Sequence, residues 1–392
     1  MLSKILKNII NNSFKKINFG SIKIIYPDRK FFRYGDGNDG AELEIRSWKA
    51  IWLCITKGDI GLAESYFKNY LSTPDISKLM IFFSHNLNEI KTLAGGRKYL
   101  KMFYHVKHAL NKNTLKGSKN NIHAHYDLGN NFYSLWLDRT MTYSAALFDN
   151  QKISLSEAQE MKYQKIIDSL ELNFGDHILD IGCGWGGFMD YAASKGYKVT
   201  GITISDEQYN FSKSRLEKYS NNAKVIKKDY RQFNMKFDAV VSIEMFEAVG
   251  KEFWKNYFLK IKSFLKPNKR ALIQTITIDD KYFDFYEKNI DFIQSYIFPG
   301  GMMASEKKLE WVTNNCDLKL IKKRSFAQDY AKTLDIWHEQ FLINWEKISL
   351  LGFNSKFKKI WSFYLMYCKA GFLSKRINVS HFTISWVKKS FN

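Results

Sequence analysis

A glycine-rich loop between an apolar strand and a helix constrains the fold of this chain more than any other feature. The loop runs from Gly182 to Gly187, after the apolar segment His177–Ile181 and before a helical pattern that begins near Phe188. Glycines at such a turn let the backbone pass close beneath a ligand. Because the carboxylate of Asp180 would repel a phosphate, the loop suits a zwitterionic amino-acid group better than a pyrophosphate.

The glycine spacing leaves a second ligand class open. Gly182, Gly184 and Gly187 formally match the dinucleotide-binding pattern. The segment Thr203–Gln208, which ends the next strand, offers no buried acidic residue for a ribose, so the dinucleotide pattern is incomplete.

Short apolar segments alternate with helical patterns around this loop. The predicted strands are His177–Ile181, Lys198–Ile204, Lys224–Lys228, Phe237–Ile243 and Arg270–Ile278. This alternation predicts an α/β fold with a doubly wound parallel sheet. The later aromatic helical patterns over 282–293, 333–347 and 357–372 are interpreted as a helical cap over the ligand crevice.

The residues before 116 form a smaller, mainly helical domain in this interpretation. The patterns predict a strand over Ile22–Pro27 and helices over 48–55, 79–90 and 99–110. Residues 111–121 lack apolar periodicity and are predicted to be a linker. The 392-residue chain is therefore expected to have an accessory domain over 1–115 and a catalytic domain over 116–392.

Charge and cysteine content narrow the classes of partner. A net charge of +21 suits an anionic surface, although the excess of Lys, Asn, Ile and Phe indicates that part of it is compositional. The four cysteines lie far apart and suggest neither a metal site nor disulfides. With no leader and no apolar run near the roughly 20 residues of a membrane span, we expect a cytoplasmic location.

The first helical pattern is amphipathic. Its apolar face comprises Leu2, Ile5, Leu6, Ile9 and Ile10, with lysines around it. Such a helix can lie on an anionic bilayer or pack within the domain, and the sequence leaves both open.

A series of motifs carries a family resemblance. The motifs are His125–Tyr133, Trp136–Asp138, Met141–Ser144, the glycine loop with Trp185, Thr203–Gln208, Asp229–Arg231, Met245–Gly250 and Tyr296–Gly301. In this order and spacing the chain resembles the cyclopropane-fatty-acyl-phospholipid synthases. Residues Gly58–Tyr66 are similar to the N-terminal domain of the longer members.

The resemblance implies a class I methyltransferase (Rossmann-like) fold and a reaction. The methyl group of S-adenosylmethionine would pass to a cis double bond of a phospholipid acyl chain, giving a carbocation that closes to a cyclopropane ring. The resemblance also implies that the protein associates peripherally with the anionic surface of the inner membrane. No nucleic-acid partner is expected, and a homodimer is compatible with the resemblance. The cofactor would be bound by Tyr143, Ser144, Asp180, Gly182, Cys183, Gly184, Thr203, Gln208, Asp229, Tyr230 and Arg231.

The resemblance also implies a bound bicarbonate as the base. Glu247, Tyr330 and Ile276 match residues that hold this ion, whereas Ala145 replaces the usual Cys and Gln274 the usual His. Gln can donate an amide hydrogen to an anion but cannot titrate near neutral pH. Bicarbonate dependence is therefore open, and so is a product with a methylene or methyl branch instead of a ring.

Other functions remain as alternatives. The basic charge would suit an RNA methyltransferase, although no base-stacking module is evident. A small-molecule methyltransferase, and an inactive lipid-binding relative permitted by Ala145 and Gln274, are also compatible with the sequence.

Overall fold

The computed structural model describes residues 2–37, 40–90 and 128–386. The predicted helix over 99–110, the linker over 111–121 and the domain boundary near 116 lie outside the described residues, as does the start of the first motif, His125–Asp127.

Helices and short strands run through the whole described part of the chain. The helices are α1 (Leu2–Phe14), α2 (Lys49–Lys57), α3 (Asp59–Phe67), α4 (Ile76–His85), α5 (Asn130–Ser134), α6 (Leu155–Leu170), α7 (Gly187–Ser194), α8 (Asp206–Arg215), α9 (Trp254–Phe264), α10 (Asp280–Glu287), α11 (Phe292–Tyr296), α12 (Glu306–Asn314), α13 (Ala327–Ile343), α14 (Trp345–Leu350) and α15 (Ser355–Leu373). The strands are β1 (Ser21–Ile25), β2 (Phe31–Gly35), β3 (Ala41–Ile45), β4 (Leu71–Ser72), β5 (His177–Ile181), β6 (Lys198–Thr203), β7 (Ala223–Lys227), β8 (Phe237–Ile243), β9 (Leu265–Ile278), β10 (Ala304–Ser305), β11 (Lys319–Ser325) and β12 (Ile377–Ser385).

The chain divides into two compact units. The first comprises Met1–Leu110, Phe285–Pro299 and Leu342–Arg376, and the second comprises Asn111–Asp284, Gly300–Phe341 and Ile377–Asn392. This division differs from a single boundary near 116, because rings of two later segments pack with the N-terminal residues. Within the first unit, Phe67 lies 6.0 Å from Phe292 and 5.8 Å from Phe363, measured between ring centroids.

The second unit contains the predicted doubly wound sheet. Its strand order is β11-β12-β9-β8-β5-β6-β7, with β5 to β9 parallel and the short β10 beside β9. Strands β5 and β8 have the predicted bounds, and both are almost wholly buried, as expected for central strands covered on both faces. Their core includes Ile178, Val241 and Met189 of α7, all fully buried.

The strand order fixes where a ligand can bind. The chain passes from β5 outward to β6 and β7 and then returns to β8 on the other side of β5. In sheets of this kind, ligands bind outside the carboxyl ends of the strands at such a reversal. The glycine loop follows β5 and the segment with Glu244 and Glu247 follows β8, so both lie at this position.

Besides the short β10, two strands of this sheet were not predicted. Strand β12 is antiparallel to β9, and β11 is antiparallel to β12 at the edge of the sheet. Strand β11 is largely exposed and rich in lysine, whereas β12 carries buried polar residues such as Ser380 and His381. Neither has the apolar run on which the prediction of strands relied.

The first unit combines helices with a four-stranded sheet of order β2-β1-β3-β4, of which only β1 was predicted. Helix α2 ends at Lys57, directly before Gly58, the predicted break, whose φ is 63°. Helix α1 packs through Leu6, Ile10 and Phe14, which are buried, while Ile5 is exposed. Of the two roles left open for this helix, the structure shows the packing role for Leu6 and Ile10 of its apolar face.

Candidate active site

The glycine loop has an open side. Gly182, Gly184 and Gly186 have φ values of 76°, 54° and 78°, in the left-handed region that favours glycine. A Cβ atom added to Gly184 would meet no heavy atom within 4 Å, so a ligand can approach the backbone there. Gly187 serves close packing instead, because an added Cβ would lie 2.7 Å from the Tyr163 hydroxyl oxygen.

A buried lysine lies close to the predicted cofactor residues. Lys162 of α6 is wholly buried, and its Nζ donates a hydrogen bond of 2.8 Å to Oγ of Ser144. Burial lowers the pKa of Lys162 to about 7, opposed by the charges of Glu244, Asp138 and Asp180. Burial raises the pKa of Asp180 to about 7, opposed by the charge of Lys162. Lys162 was not identified from the sequence, although it is a lysine at a core-facing position of an amphipathic helix.

The remaining predicted polar cofactor residues follow β6 and β7. Thr203 ends β6, and its hydroxyl donates to Oε1 of Gln208 at 3.0 Å. Asp229 accepts hydrogen bonds from the backbone nitrogen and the guanidinium of Arg231, at 2.6–2.9 Å. The ring of Tyr230 meets Tyr257 edge-on at 5.6 Å. The carboxyl edge of the sheet thus brings these residues together with Asp180 and the loop residues Gly182, Cys183 and Gly184.

Aromatic side chains of the first motifs form a packed wall. The ring of Tyr143 lies 5.4 Å from each of Tyr133, Trp136 and Trp337, measured between centroids. Tyr133, Trp136 and Trp337 are all buried. Rings of the first motifs and Trp337 of α13 therefore form one buried aromatic wall, next in sequence to Ser144 and Ala145.

Glu247 lies in the short turn Phe246–Ala248 that follows β8. Its Oε1 accepts a hydrogen bond of 2.6 Å from the backbone nitrogen of Ile276, while its buried Oε2 has no hydrogen-bond partner in the described part of the chain. Burial, and then the charge of Glu244, raise the pKa of Glu247 to about 8. At neutral pH this carboxyl group is therefore mostly protonated.

Glu244, which was not identified from the sequence, is the centre of the cluster. Its Oε1 accepts hydrogen bonds from the backbone nitrogen of Ala145 at 2.8 Å and from Nε2 of Gln274 at 2.7 Å. Its Oε2 accepts one from the hydroxyl of Tyr330 at 2.6 Å. The residues predicted to hold a bicarbonate divide between the two carboxyl groups: Ile276 contacts Glu247, whereas Ala145, Gln274 and Tyr330 contact Glu244.

Gln274 is held in one orientation by a neighbour on β12. The ring Nε2 of His381 lies 3.0 Å from Oε1 of Gln274, and the two residues are paired in register. Burial lowers the pKa of His381 to about 3, so the ring is neutral and can donate from Nε2. The amide nitrogen of Gln274 is thereby directed to Glu244. His381 was not identified from the sequence either.

These contacts decide which bound groups the residues fit. The open side of Gly184, next to Asp180 and the carboxyl edge of the sheet, fits S-adenosylmethionine. A bicarbonate ion fits less well, because three of the groups expected to hold it already donate to the carboxylate of Glu244.

Comparison with known proteins identifies the family. The family model described as mycolic acid cyclopropane synthetase matches residues 113–382. The chain belongs to the mycolic acid cyclopropane synthetase family. It is 31% identical to the cyclopropane-fatty-acyl-phospholipid synthase of Escherichia coli, over 88% of this chain and 87% of that protein. It is 30% identical to a tuberculostearic acid methyltransferase of Mycobacterium tuberculosis, over 83% of this chain and 79% of that protein.

Solved structures in this family agree with the fold. The mycolic acid cyclopropane synthase CmaA1, complexed with SAH and CTAB, superposes with a TM-score of 0.64 at 31% identity, covering 68% of this chain and 98% of CmaA1. The predicted class I methyltransferase fold and resemblance are thus confirmed, and the dinucleotide alternative is set aside. The protein is an S-adenosylmethionine-dependent methyltransferase of the cyclopropane synthase family, which modifies lipid acyl chains.

Proposed function

We propose that this enzyme methylates the cis double bond of an unsaturated phospholipid acyl chain and closes the product to a cyclopropane ring. S-adenosylmethionine supplies the electrophilic methyl group when bound. The proposal assigns its binding to the glycine loop, Asp180 and the residues that follow β6 and β7.

The observation that carries the proposal is the pair of buried carboxyl groups after β8. Addition of a methyl group to an alkene gives a carbocation, which an apolar site stabilises poorly unless negative charge or electron-rich rings face it. Glu244 provides the negative charge. The ring of Trp337, 6.1 Å from that of Tyr330 between centroids, belongs to the aromatic wall beside it.

A second outcome is methylation without ring closure. It is favoured by the similarity to a protein named for tuberculostearic acid methylation, at 30% identity. Ala145 and Gln274, which replace the usual Cys and His, are compatible with either product.

Mass spectrometry of phospholipid acyl chains distinguishes the two. The protein would be expressed in cells rich in monounsaturated lipids, with methyl-labelled methionine and derivatisation of the remaining double bonds. We expect one labelled carbon per modified chain, with the unsaturation equivalent kept and no alkene detected. A labelled chain that retains an alkene, or has lost the unsaturation, would contradict ring closure, and no labelled lipid would contradict the proposed substrate.

The proposed substrate requires access to a bilayer. No helix in the described ranges is long and apolar enough to span a membrane. The first unit nevertheless exposes apolar side chains at the end of α13 and of α14: Ile343 is 64% and Leu350 87% exposed. With Lys347 between them, this segment suits peripheral contact with an anionic membrane surface.

A further inference from the structure

Glu244 is the acceptor in the hydrogen bonds that surround it. The backbone nitrogen of Ala145, Nε2 of Gln274 and the hydroxyl of Tyr330 each donate to its carboxylate at 2.6–2.8 Å. A carboxylic acid protonated on Oε2 could not accept from Tyr330 and would have to donate its own hydrogen to that hydroxyl oxygen, which reverses the bond. The surroundings therefore fit an ionised carboxylate, which accepts hydrogen bonds only.

Nearby charges favour the same state. Burial raises the pKa of Glu244 above its ordinary value, and this rise is opposed by the three hydrogen bonds and by the charge of the buried Lys162. The proton in this region is held more readily by Glu247, whose pKa is about 8. With the proton on Glu247 and three donors directed at Glu244, one carboxyl group is neutral and the other charged, as is usual for two carboxyl groups that share a low-dielectric site.

The backbone at Glu244 is unusual. Its φ is 48°, in the left-handed region that side chains other than glycine adopt at a cost. Strained backbone of this kind persists where the surrounding structure holds it and is concentrated at functional sites. Glycine would adopt the same backbone without strain and would leave the space of the carboxylate open between the same donors.

We infer that Glu244 is the base of the reaction, a carboxylate carried by the chain in the place that the family resemblance assigns to an exchangeable bicarbonate. The inference rests on the proposed ring-forming function. In the final step a C–H bond of the newly added methyl group breaks. Its electron pair forms the closing C–C bond of the ring, the positive charge on the acyl chain is neutralised, and the proton passes to Glu244. The resulting carboxylic acid returns the proton to water after product release.

The test uses the purified full chain, vesicles of phosphatidylethanolamine and phosphatidylglycerol with oleoyl chains, and S-adenosylmethionine. Cyclopropane formation is measured in carbonate-free buffer and after addition of bicarbonate. We expect the wild-type rate to be the same in both. Glu244→Gln should lower the rate by about 100-fold or more in both buffers, since a general base contributes this much, without loss of cofactor affinity.

Glu244→Gly is the decisive variant. It should be as slow as Glu244→Gln in carbonate-free buffer and recover by about tenfold or more when bicarbonate fills the vacated position. Glu244→Gln should show no recovery, because its side chain still fills that position. Glu252→Gln is the matched control: this exposed glutamate lies in the turn after Gly250 and should keep the wild-type rate.

Two outcomes would overturn the inference. One is a wild-type rate that falls when bicarbonate is removed, and the other is a Glu244→Gln variant that keeps its rate. If Glu244→Gly fails to fold, these two measurements still decide the question. Failure of the proposed function has a different signature, since the wild type would then bind S-adenosylmethionine and form no cyclopropane in either buffer.

Discussion

At the scale of single residues, the site was partly predictable. The glycine loop and Glu247 could be found because their motifs are local in sequence. Glu244, Lys162 and His381 were missed because their role depends on tertiary contacts: each is ordinary in its own element and becomes significant only where strands and helices place it among buried polar groups. A second carboxylate three residues before Glu247, directly after an apolar strand, was the one signal available.

Gly184 allows a test of the cofactor site. Its φ of 54° means that Gly184→Ala costs stability, about 1 kcal/mol. An added methyl group would also project into the open side where we place the cofactor. We expect weaker S-adenosylmethionine binding by calorimetry. Gly352→Ala, also at positive φ with open space around it, should cost similar stability and leave the affinity unchanged. Equal affinities in the two variants would contradict the placement.

Glu247 predicts a dependence of stability on pH. Its folded-state pKa of about 8 lies above the ordinary value of 4.5, so the folded protein retains a proton that the unfolded chain releases. The contribution of this group to stability is therefore greatest below pH 4.5 and is lost as pH rises to about 8. Glu247→Gln, which mimics the neutral acid, should show a smaller fall in Tm between pH 5 and 8. Parallel Tm curves for the two proteins would contradict a raised pKa.

At the scale of elements, the apolar character of a buried strand decided whether it could be predicted. Strands β5 and β8 are buried on both faces and appear in the sequence as continuous apolar runs. Strand β12 is equally buried but carries Ser380, His381 and Thr383. These polar residues break the pattern, and one of them orients Gln274. Because these polar residues interrupt the apolar run, strand β12 could not be predicted from the sequence.

Helix α1 gives the test at this scale. Phe14 is 3% exposed and stacks on Phe82 at a centroid distance of 6.1 Å. Phe14→Ala should lower the free energy of unfolding by about 3–5 kcal/mol, the usual cost of removing a buried phenylalanine ring. Chemical denaturation measures this, with the exposed Lys4→Glu as the control that should change stability little. Unchanged stability of Phe14→Ala with loss of vesicle binding would make α1 a membrane contact after all.

At the scale of the whole molecule, charge and exposed apolar residues predict how the protein meets its substrate. Ile343→Asp together with Leu350→Asp should weaken binding to anionic vesicles by about tenfold or more, because each side chain would contribute about 1.5–3 kcal/mol if buried in lipid. Phe174→Asp, at a residue as exposed as Leu350, is the control and should bind normally. Flotation at several salt concentrations measures both effects.

The net charge of +21 predicts that membrane binding depends on salt concentration. Wild-type binding should weaken as ionic strength rises, because salt screens the attraction between lysines and lipid phosphates. Binding that is insensitive to salt and to both aspartate substitutions would contradict a peripheral contact at this surface.

The left-handed backbone at Glu244 has a consequence for how such enzymes can diverge. Glycine and glutamate codons differ by a single base in the second position, GGA against GAA and GGG against GAG. At a position whose backbone already suits glycine, one nucleotide change would remove the inferred base or supply it without refolding the loop. An enzyme with the glutamate would no longer depend on dissolved carbon dioxide, so its membrane chemistry could continue in habitats where carbonate is scarce.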